Sequence, residues 1–214
     1  MTQSTSGIVL RTRALTETSL IVNWLTLEFG RLSTVAKGAR RPTSPFAGKL
    51  DLFYEANFNF ARSRRSELHT LREVSLRETH TTLRHELGRL QQASYCAALI
   101  EQTTEVDTPL PEIHALFAGF LKHLAQQPPK PRTIFAFELK LLRLLGLEPD
   151  GPETRLPLET QQLLAALTES SWEKLAELHA TAAQARALHQ FLHGFLIYHL
   201  GRIPKGRNAA VGGG

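Results

Sequence analysis

Hydrophobic and polar residues alternate along the first third of the chain with the two-residue period of β-strands. The clearest run covers residues 50–60, where every second position from Leu50 to Phe60 is apolar and most positions between them are polar; Phe53 is the exception. This pattern predicts a strand with one buried and one exposed face. Four more strands are predicted because they are short runs bounded by turn-forming residues: 7–13, 19–27, 31–37 and 67–76.

Five short strands with no helix between most of them predict a small closed sheet. A five-stranded oligonucleotide-binding (OB) barrel suits this length, since closure leaves no exposed strand edge. A small β-sandwich is the alternative, and periodicity does not separate the two folds.

From about residue 80 the apolar positions recur every three or four residues, as in Leu83, Leu87 and Leu90, which indicates helices. Further helices are predicted over residues 112–125, 133–145, 158–167, 171–179 and 182–200. Residues 133–145 are apolar on nearly all sides, which is typical of a helix buried in a bundle. The predicted fold class is therefore α+β: an OB-fold domain over residues 1–80, a helical domain over 81–205 and a flexible tail over 206–214.

The net charge of +5 is unevenly distributed. Residues 1–80 hold twelve lysines and arginines against seven acids, while the rest of the chain balances. A basic excess confined to one segment favours a polyanion as partner, with nucleic acid first. A solvated basic face is the alternative. The cations that we predict to contact DNA phosphates, without reading base sequence, are Arg31, Lys37, Arg40, Arg41, Lys49, Arg62, Arg64 and Arg65.

Catalytic patterns are missing from the sequence. It has no Gly-rich phosphate loop, no G-x-S-x-G and no H-E-x-x-H, so we expect no enzymatic activity. His189 and His193 share a helical face at a spacing that can hold zinc, but no H-E-x-x-H pattern and no nearby cysteine supports them, and we expect a structural or solvent-exposed role. Cys96 is the only cysteine and is predicted to be a buried thiol, while Trp24 is predicted to lie in the core.

Several segments resemble the bacterial recombination mediator RecO family. The resemblance covers residues 7 to about 207, and its N-terminal motifs are the most specific. It rests on Gly7-Ile-Val-Leu-Arg-Thr-Arg13 with Glu17-Thr-Ser-Leu-Ile-Val, on residues 29–42 (FGRLSTVAKGARRP), on residues 137–146 (FELKLLRLLG) and on residues 198–202 (YHLGR).

The resemblance implies a DNA-binding protein without catalytic activity. It implies binding of single- and double-stranded DNA, annealing of complementary strands, the partner RecR, and help for RecA in replacing single-strand-binding protein. It also implies that the acidic C-terminal tail of single-strand-binding protein docks on the helical domain. Candidate contacts are Phe135, Leu139 and Leu142 for its terminal ring and, for its carboxylates, Arg132, Lys140 and Arg143; solubilising a buried helix is the alternative role of these cations.

One feature departs from the family pattern. Many family members carry a four-cysteine zinc motif after the Leu-Leu-Gly helix, whereas residues 147–153 of this chain contain no cysteine. No zinc or other cofactor is therefore expected there. The sequence also lacks a transmembrane-length apolar run and the features of a signal peptide, so we expect a cytoplasmic, nucleoid-associated protein. The alternative function is an OB-fold RNA-binding or ribosome-associated protein.

Overall fold

The computed structural model describes residues 2–149 and 154–212. The chain divides into two compact units: residues 1–80 with 104–114, and residues 81–103 with 115–214. The first unit therefore takes in a segment from between two helices of the second, which a division of the sequence at residue 80 does not contain.

The first unit is a closed five-stranded barrel. Its strands are β1 (Thr2–Ala14), β2 (Leu20–Thr26), β3 (Gly30–Ala36), β4 (Glu55–Ala61) and β5 (Leu68–Glu78). They follow the order β1-β2-β3-β5-β4, and β1 closes the barrel by pairing with β4. β3 and β5 are parallel, whereas the other neighbours are antiparallel. The OB-barrel prediction is thus confirmed over the sandwich.

The barrel core explains which strand positions are apolar. Trp24 is fully buried, stacks on Phe58 with ring centroids 4.2 Å apart, and donates its indole N–H to Thr34 Oγ1 at 2.9 Å. The prediction that Trp24 is a core residue is confirmed. The strand predicted from residue 50 begins only at Glu55, because Phe53 has φ 65° and is buried within a loop.

The second unit is helical. Its helices are α1 (Leu87–Thr103), α2 (Pro111–Gln126, whose first turn belongs to the barrel unit), α3 (Pro131–Leu144), α4 (Leu158–Glu169), α5 (Ala182–Leu200) and α6 (Arg207–Gly212). The helix predicted over residues 171–179 is only a 3-10 turn at Lys174–Glu177. Short 3-10 geometry also precedes α1, at Thr81–His85. Within the described residues, no helix has the length and apolar character needed to cross a membrane.

A buried ionic network joins α6 to the rest of this unit. The Arg207 guanidinium donates to both carboxylate oxygens of Glu138 on α3, at 2.7 and 2.9 Å, and the Tyr95 hydroxyl donates to Glu138 Oε1 at 2.6 Å. Gln92 of α1 donates to the carbonyl of Ala210 at 2.9 Å. Residues 207–212 thus form a helix in the segment for which composition predicted a mobile tail, because Arg207 finds a partner far away in sequence; residues 213–214 lie outside the described residues.

Candidate nucleic-acid interface

Four exposed cations of the first unit stand at one end of the barrel. The strand registers place Ala14, Leu20 and Ala36 side by side, so the β1–β2 turn and the loop after β3 leave the sheet at the same end. Exposed cations stand on and beside these connections. We call this set the cationic rim: Arg13, Lys37, Arg40 and Arg41.

Backbone hydrogen bonds hold the loop of the cationic rim against the β1–β2 turn. The Arg40 N–H donates to the carbonyl of Thr18 at 3.0 Å, and its guanidinium donates to the carbonyl of Thr16 at 3.2 Å. Gly38 permits the sharp bend that this requires, since its φ of 67° lies in the left-handed region. The loop therefore presents Lys37 and Arg41 to solvent from an anchored backbone.

The electrostatics of the cationic rim favour a polyanion. Within residues 2–149 and 154–212, none of its four members forms an ion pair with an acid. Glu17, in the β1–β2 turn, is an exposed acid beside them. Exposed, flexible cations in this number are the groups that contact a phosphate backbone. Lys37, Arg40 and Arg41 lie in the loop after β3, and their contact with DNA stays a prediction. Arg13, at the end of the predicted first strand, was not among the predicted site residues.

A second group of predicted cations lies at the other end of β3. Because Leu68 is paired in parallel with Ser33, the β4–β5 turn that precedes it lies toward Gly30, away from Lys37. Arg64 and Arg65 of this turn are exposed. Arg62, in the same turn, instead forms an ion pair with Asp107 at 3.1 Å. The predicted site residues therefore form two groups and not one.

His69 lies behind this second group. Its imidazole is buried against the Phe60 ring, with centroids 5.4 Å apart, and its Nε2 is 3.9 Å from the Asp107 carboxylate. Burial lowers the pKa of His69 below the ordinary value, although the charge of Asp107 acts in the opposite direction. The Ser63 backbone N–H donates to His69 Nδ1 at 3.3 Å, so the buried ring supports the β4–β5 turn.

Arg31 has an intramolecular role. Its Nε donates to Thr104 Oγ1 at 2.7 Å, and its Nη2 donates to the Thr104 carbonyl. The backbone of Asp107 donates to the Arg31 carbonyl at 2.8 Å. Arg31 therefore fastens residues 104–108 to β3. The Arg31 guanidinium, which was predicted to contact phosphate, is thus bonded to Thr104.

Lys49 belongs to neither group and lines a cavity of about 390 Å³ on β4 and β5. Arg72 shares this cavity with the amides of Asn57 and Asn59 and with the Phe46 ring. Arg72 was not among the predicted site residues, because nothing in a strand sequence shows which loop residues lie beside it.

The three cations predicted on α3 are bound within the helical unit. The Lys140 ammonium donates to the carbonyls of Thr168 and Ser170, at 2.8 and 2.6 Å, and so satisfies the C-terminus of α4. Burial, and then the charge of Arg143, lower the pKa of Lys140. Arg143 pairs with Glu148 at 2.5 Å, and Arg132 donates to the carbonyl of Leu178 at 2.8 Å.

The apolar residues predicted beside these cations are core residues. Leu139 and Leu142 are fully buried in the core of the helical unit. Phe135 and Arg132 instead line a cavity of about 170 Å³, together with Leu163, Leu167 and Leu188. Of the predicted cluster, Phe135 and Arg132, at the N-terminal end of α3, line this cavity.

Metal-binding groups are sparse in the described part of the chain. No three His, Cys, Asp or Glu side chains there converge as ligands. The rings of His189 and His193 have centroids 6.3 Å apart, and Cys96 is buried in α1. The expectation about the family zinc motif concerns residues 147–153, of which 150–153 lie outside the described residues.

The closed barrel, its cationic rim and the helical unit define a protein of the OB-barrel class with an appended helical domain. Two family models match the chain: "Recombination protein O N terminal" over residues 1–80 and "Recombination protein O C terminal" over residues 84–153. The chain therefore belongs to the RecO family.

Individual relatives carry the name DNA repair protein RecO. Those of Rhodopirellula baltica and Anaeromyxobacter sp. (strain K) are each 35% identical over 67% of this chain, covering 53% and 57% of their own lengths. The matched part of the chain thus spans a little over half of these relatives. A third relative, from Anaeromyxobacter sp. (strain Fw109-5), is 29% identical over 92% of this chain and 91% of its own length.

Proposed function

We propose that this chain is a non-enzymatic recombination mediator that binds single- and double-stranded DNA through the cationic rim. In this role it anneals complementary strands and helps RecA to load onto DNA covered by single-strand-binding protein, working with RecR at the nucleoid. The observation that carries the proposal is the set of exposed cations without acidic partners at one end of an OB barrel. Membership of the RecO family supports the choice of DNA repair.

Salt dependence tests the rim directly. Each phosphate contact adds about 0.9 to the salt slope of binding to duplex DNA and about 0.7 for a single strand. We expect Lys37→Glu/Arg41→Glu to lower the slope by roughly 1.4–1.8 and to weaken binding equally for all sequences. The matched control, Lys122→Glu/Lys174→Glu, reverses two exposed charges on the helical unit and should change the slope less.

The same proteins are used to decide whether the ligand is DNA or RNA. Binding is measured with single-stranded DNA, duplex DNA and RNA, and annealing is measured with and without single-strand-binding protein. An unchanged slope in folded Lys37→Glu/Arg41→Glu would contradict the rim assignment. Preference for RNA without annealing would favour the ribosome-associated alternative, and turnover of a phosphoester substrate would contradict a non-enzymatic role.

We further propose that the acidic tail of single-strand-binding protein docks at the N-terminal end of α3. Here the cavity of about 170 Å³ beside Phe135 can receive an aromatic ring, since apolar cavities of about 150 Å³ bind benzene. Arg132 and Lys130 line the same cavity and can meet the tail carboxylates. This location replaces the wider cluster along α3, because Lys140 and Arg143 do not line the cavity, whereas Arg132 lines it while donating to the carbonyl of Leu178.

Peptide titration tests the tail site. We expect Arg132→Glu to weaken binding of a tail peptide by tenfold or more, because reversing a cation beside the cavity repels the carboxylates. Arg143→Glu, on the same helix but away from the cavity, is the control and should bind as the wild type does. Equal affinity in both variants and the wild type would place the tail elsewhere.

A further inference from the structure

Helix α5 is buried along only one narrow line. Leu188, Leu192 and Leu196 recur every four residues and face the core of the helical unit. The remaining positions are half-buried or exposed. A helix with this single seam would ordinarily carry charged residues on its outer side.

Beside this line of leucines, α5 carries a row of aromatic rings, of which Phe191 and Phe195 are half-buried against the core of the helical unit and Tyr198 is exposed. Phe191, Phe195 and Tyr198 follow one another at spacings of four and three residues, which places them on one face. The Phe191 and Phe195 rings have centroids 5.6 Å apart, and the His199 ring lies 4.3 Å from that of Phe195. Tyr198 is 83% exposed, which is exceptional for a ring of this size.

Open space lies on both sides of this row. A groove of about 910 Å³ is lined by Phe191, Phe195, Tyr198 and Arg155. A second, of about 720 Å³, is lined by Arg186 and His193. Gln190 lines both grooves, so they adjoin across α5. We call this surface the α5 outer face: Arg186, Gln190, Phe191, Phe195, Tyr198 and His199.

The charge of the α5 outer face selects its ligand. Residues 178–214 contain no Asp or Glu, while Arg186 and Arg202 are exposed. In the part of the chain that the structure describes, Arg186 forms no ion pair. A second copy of the same face would bring cations together and is disfavoured. Rings flanked by cations suit a polyanion that carries flat, apolar groups, which is the chemistry of single-stranded nucleic acid.

We propose that the α5 outer face is a second nucleic-acid surface, on which the bases of a single strand stack. It rests on the proposed function only for the class of ligand, since none of its residues belongs to the cationic rim. The barrel supplies charge, but its rings, such as Trp24, Phe58 and Phe60, lie in its core. Stacking on α5 therefore adds a contact that a single strand can make and a duplex cannot, because the bases of a duplex are already stacked on one another.

Binding of two strands that differ only in their bases tests this proposal. An oligothymidylate and an abasic sugar-phosphate strand of equal length are titrated against the full chain. We expect Tyr198→Ala to weaken oligothymidylate binding roughly tenfold, the loss of about one stacked base, and to leave the abasic strand unaffected. Tyr198→Phe should restore binding because the ring is retained. Leu158→Ala, which removes another exposed apolar side chain, is the control.

Photo-crosslinking locates the strand independently of affinity. A strand containing 5-bromodeoxyuridine should crosslink to an α5 peptide in the wild type and in Lys37→Glu/Arg41→Glu alike. Loss of rim binding with retained α5 crosslinks, or the reverse, distinguishes failure of one site from failure of the other. Unchanged oligothymidylate binding in Tyr198→Ala would overturn the proposal. The proposal would also be overturned if an acidic peptide bound the wild type but not Tyr198→Ala, while both proteins bound DNA equally.

Discussion

At the scale of single residues, Arg207 and Glu138 form a buried ion pair in the helical unit. Both side chains are buried, and the guanidinium meets the carboxylate through two hydrogen bonds. Burial alone would lower the pKa of Arg207, but the bonds to Glu138 outweigh it and raise the pKa. The ion pair therefore persists in a place where either charge alone would be unfavourable.

Removing one partner of this pair should be worse than removing both. We expect Glu138→Leu to lower the free energy of unfolding by about 3–5 kcal/mol, because it leaves Arg207 buried and uncompensated. Glu138→Leu/Arg207→Met should recover much of this loss. The measurement is urea unfolding followed by the helical circular-dichroism signal.

An exposed ion pair provides the control for this prediction. Arg143→Ala breaks the pair with Glu148, where both side chains are about two-fifths exposed, and should cost about 1 kcal/mol or less.

If Glu138→Leu/Arg207→Met were as unstable as Glu138→Leu, the loss of stability would come from packing and not from an uncompensated charge.

At the scale of elements, the β2–β3 turn and residues 104–108 are built to fit closely. Gly30 has φ 65°, and a Cβ atom there would lie 1.7 Å from the carbonyl oxygen of Thr108. The Arg31 side chain holds the same segment through Thr104. Only glycine permits both the turn and this approach.

Two glycines separate the effect of contact from that of backbone conformation. Gly48 has φ 70° but nothing within 4 Å of its ideal Cβ position. Gly48→Ala should therefore destabilise the protein by about 1–2 kcal/mol through its left-handed conformation alone. Gly30→Ala should cost at least about 2 kcal/mol more, because the carbonyl must move. Thermal and urea unfolding measure both, and equal losses would mean that the segment yields without penalty.

At the scale of the whole molecule, the excess of basic residues is confined to one part of the chain. The basic excess belongs to residues 1–80, and the helical unit is held by apolar packing and the Glu138–Arg207 pair. The helical fold is thus supported by contacts that require no metal. We propose that the protein folds and functions without zinc, in contrast to the family members that carry the four-cysteine motif.

Metal analysis tests this proposal. Protein purified without a histidine tag should contain well below one zinc per chain, because a structural zinc site needs four ligands and Cys96 is the only cysteine. A chelator should leave the helical signal unchanged. Stoichiometric zinc, with helicity lost on chelation, would contradict this expectation.

Local pattern was sufficient for most elements of the fold. The two-residue period and the turn-forming residues that bound short runs marked five strands, and the period of three to four residues marked α1 to α5. The cluster at Lys37, Arg40 and Arg41 was equally visible, since its members are adjacent in sequence. The segment at residues 171–179 was misassigned as a helix because short apolar spacing does not distinguish a 3-10 turn.

The sequence by itself determined the strands, the principal helices, the family and the basic character of the first domain, because each depends on residues that are near neighbours. Only the tertiary structure decided that the sheet closes through β1 and β4, and that Arg31 binds Thr104, 73 positions away. It also placed Lys140 at the end of α4, buried Arg207 beside Glu138 and left the Tyr198 ring of α5 exposed. The physical reason is that the sequence around a cation does not show whether its partner is a carbonyl, a carboxylate or water. Residues that are distant in sequence supply that partner.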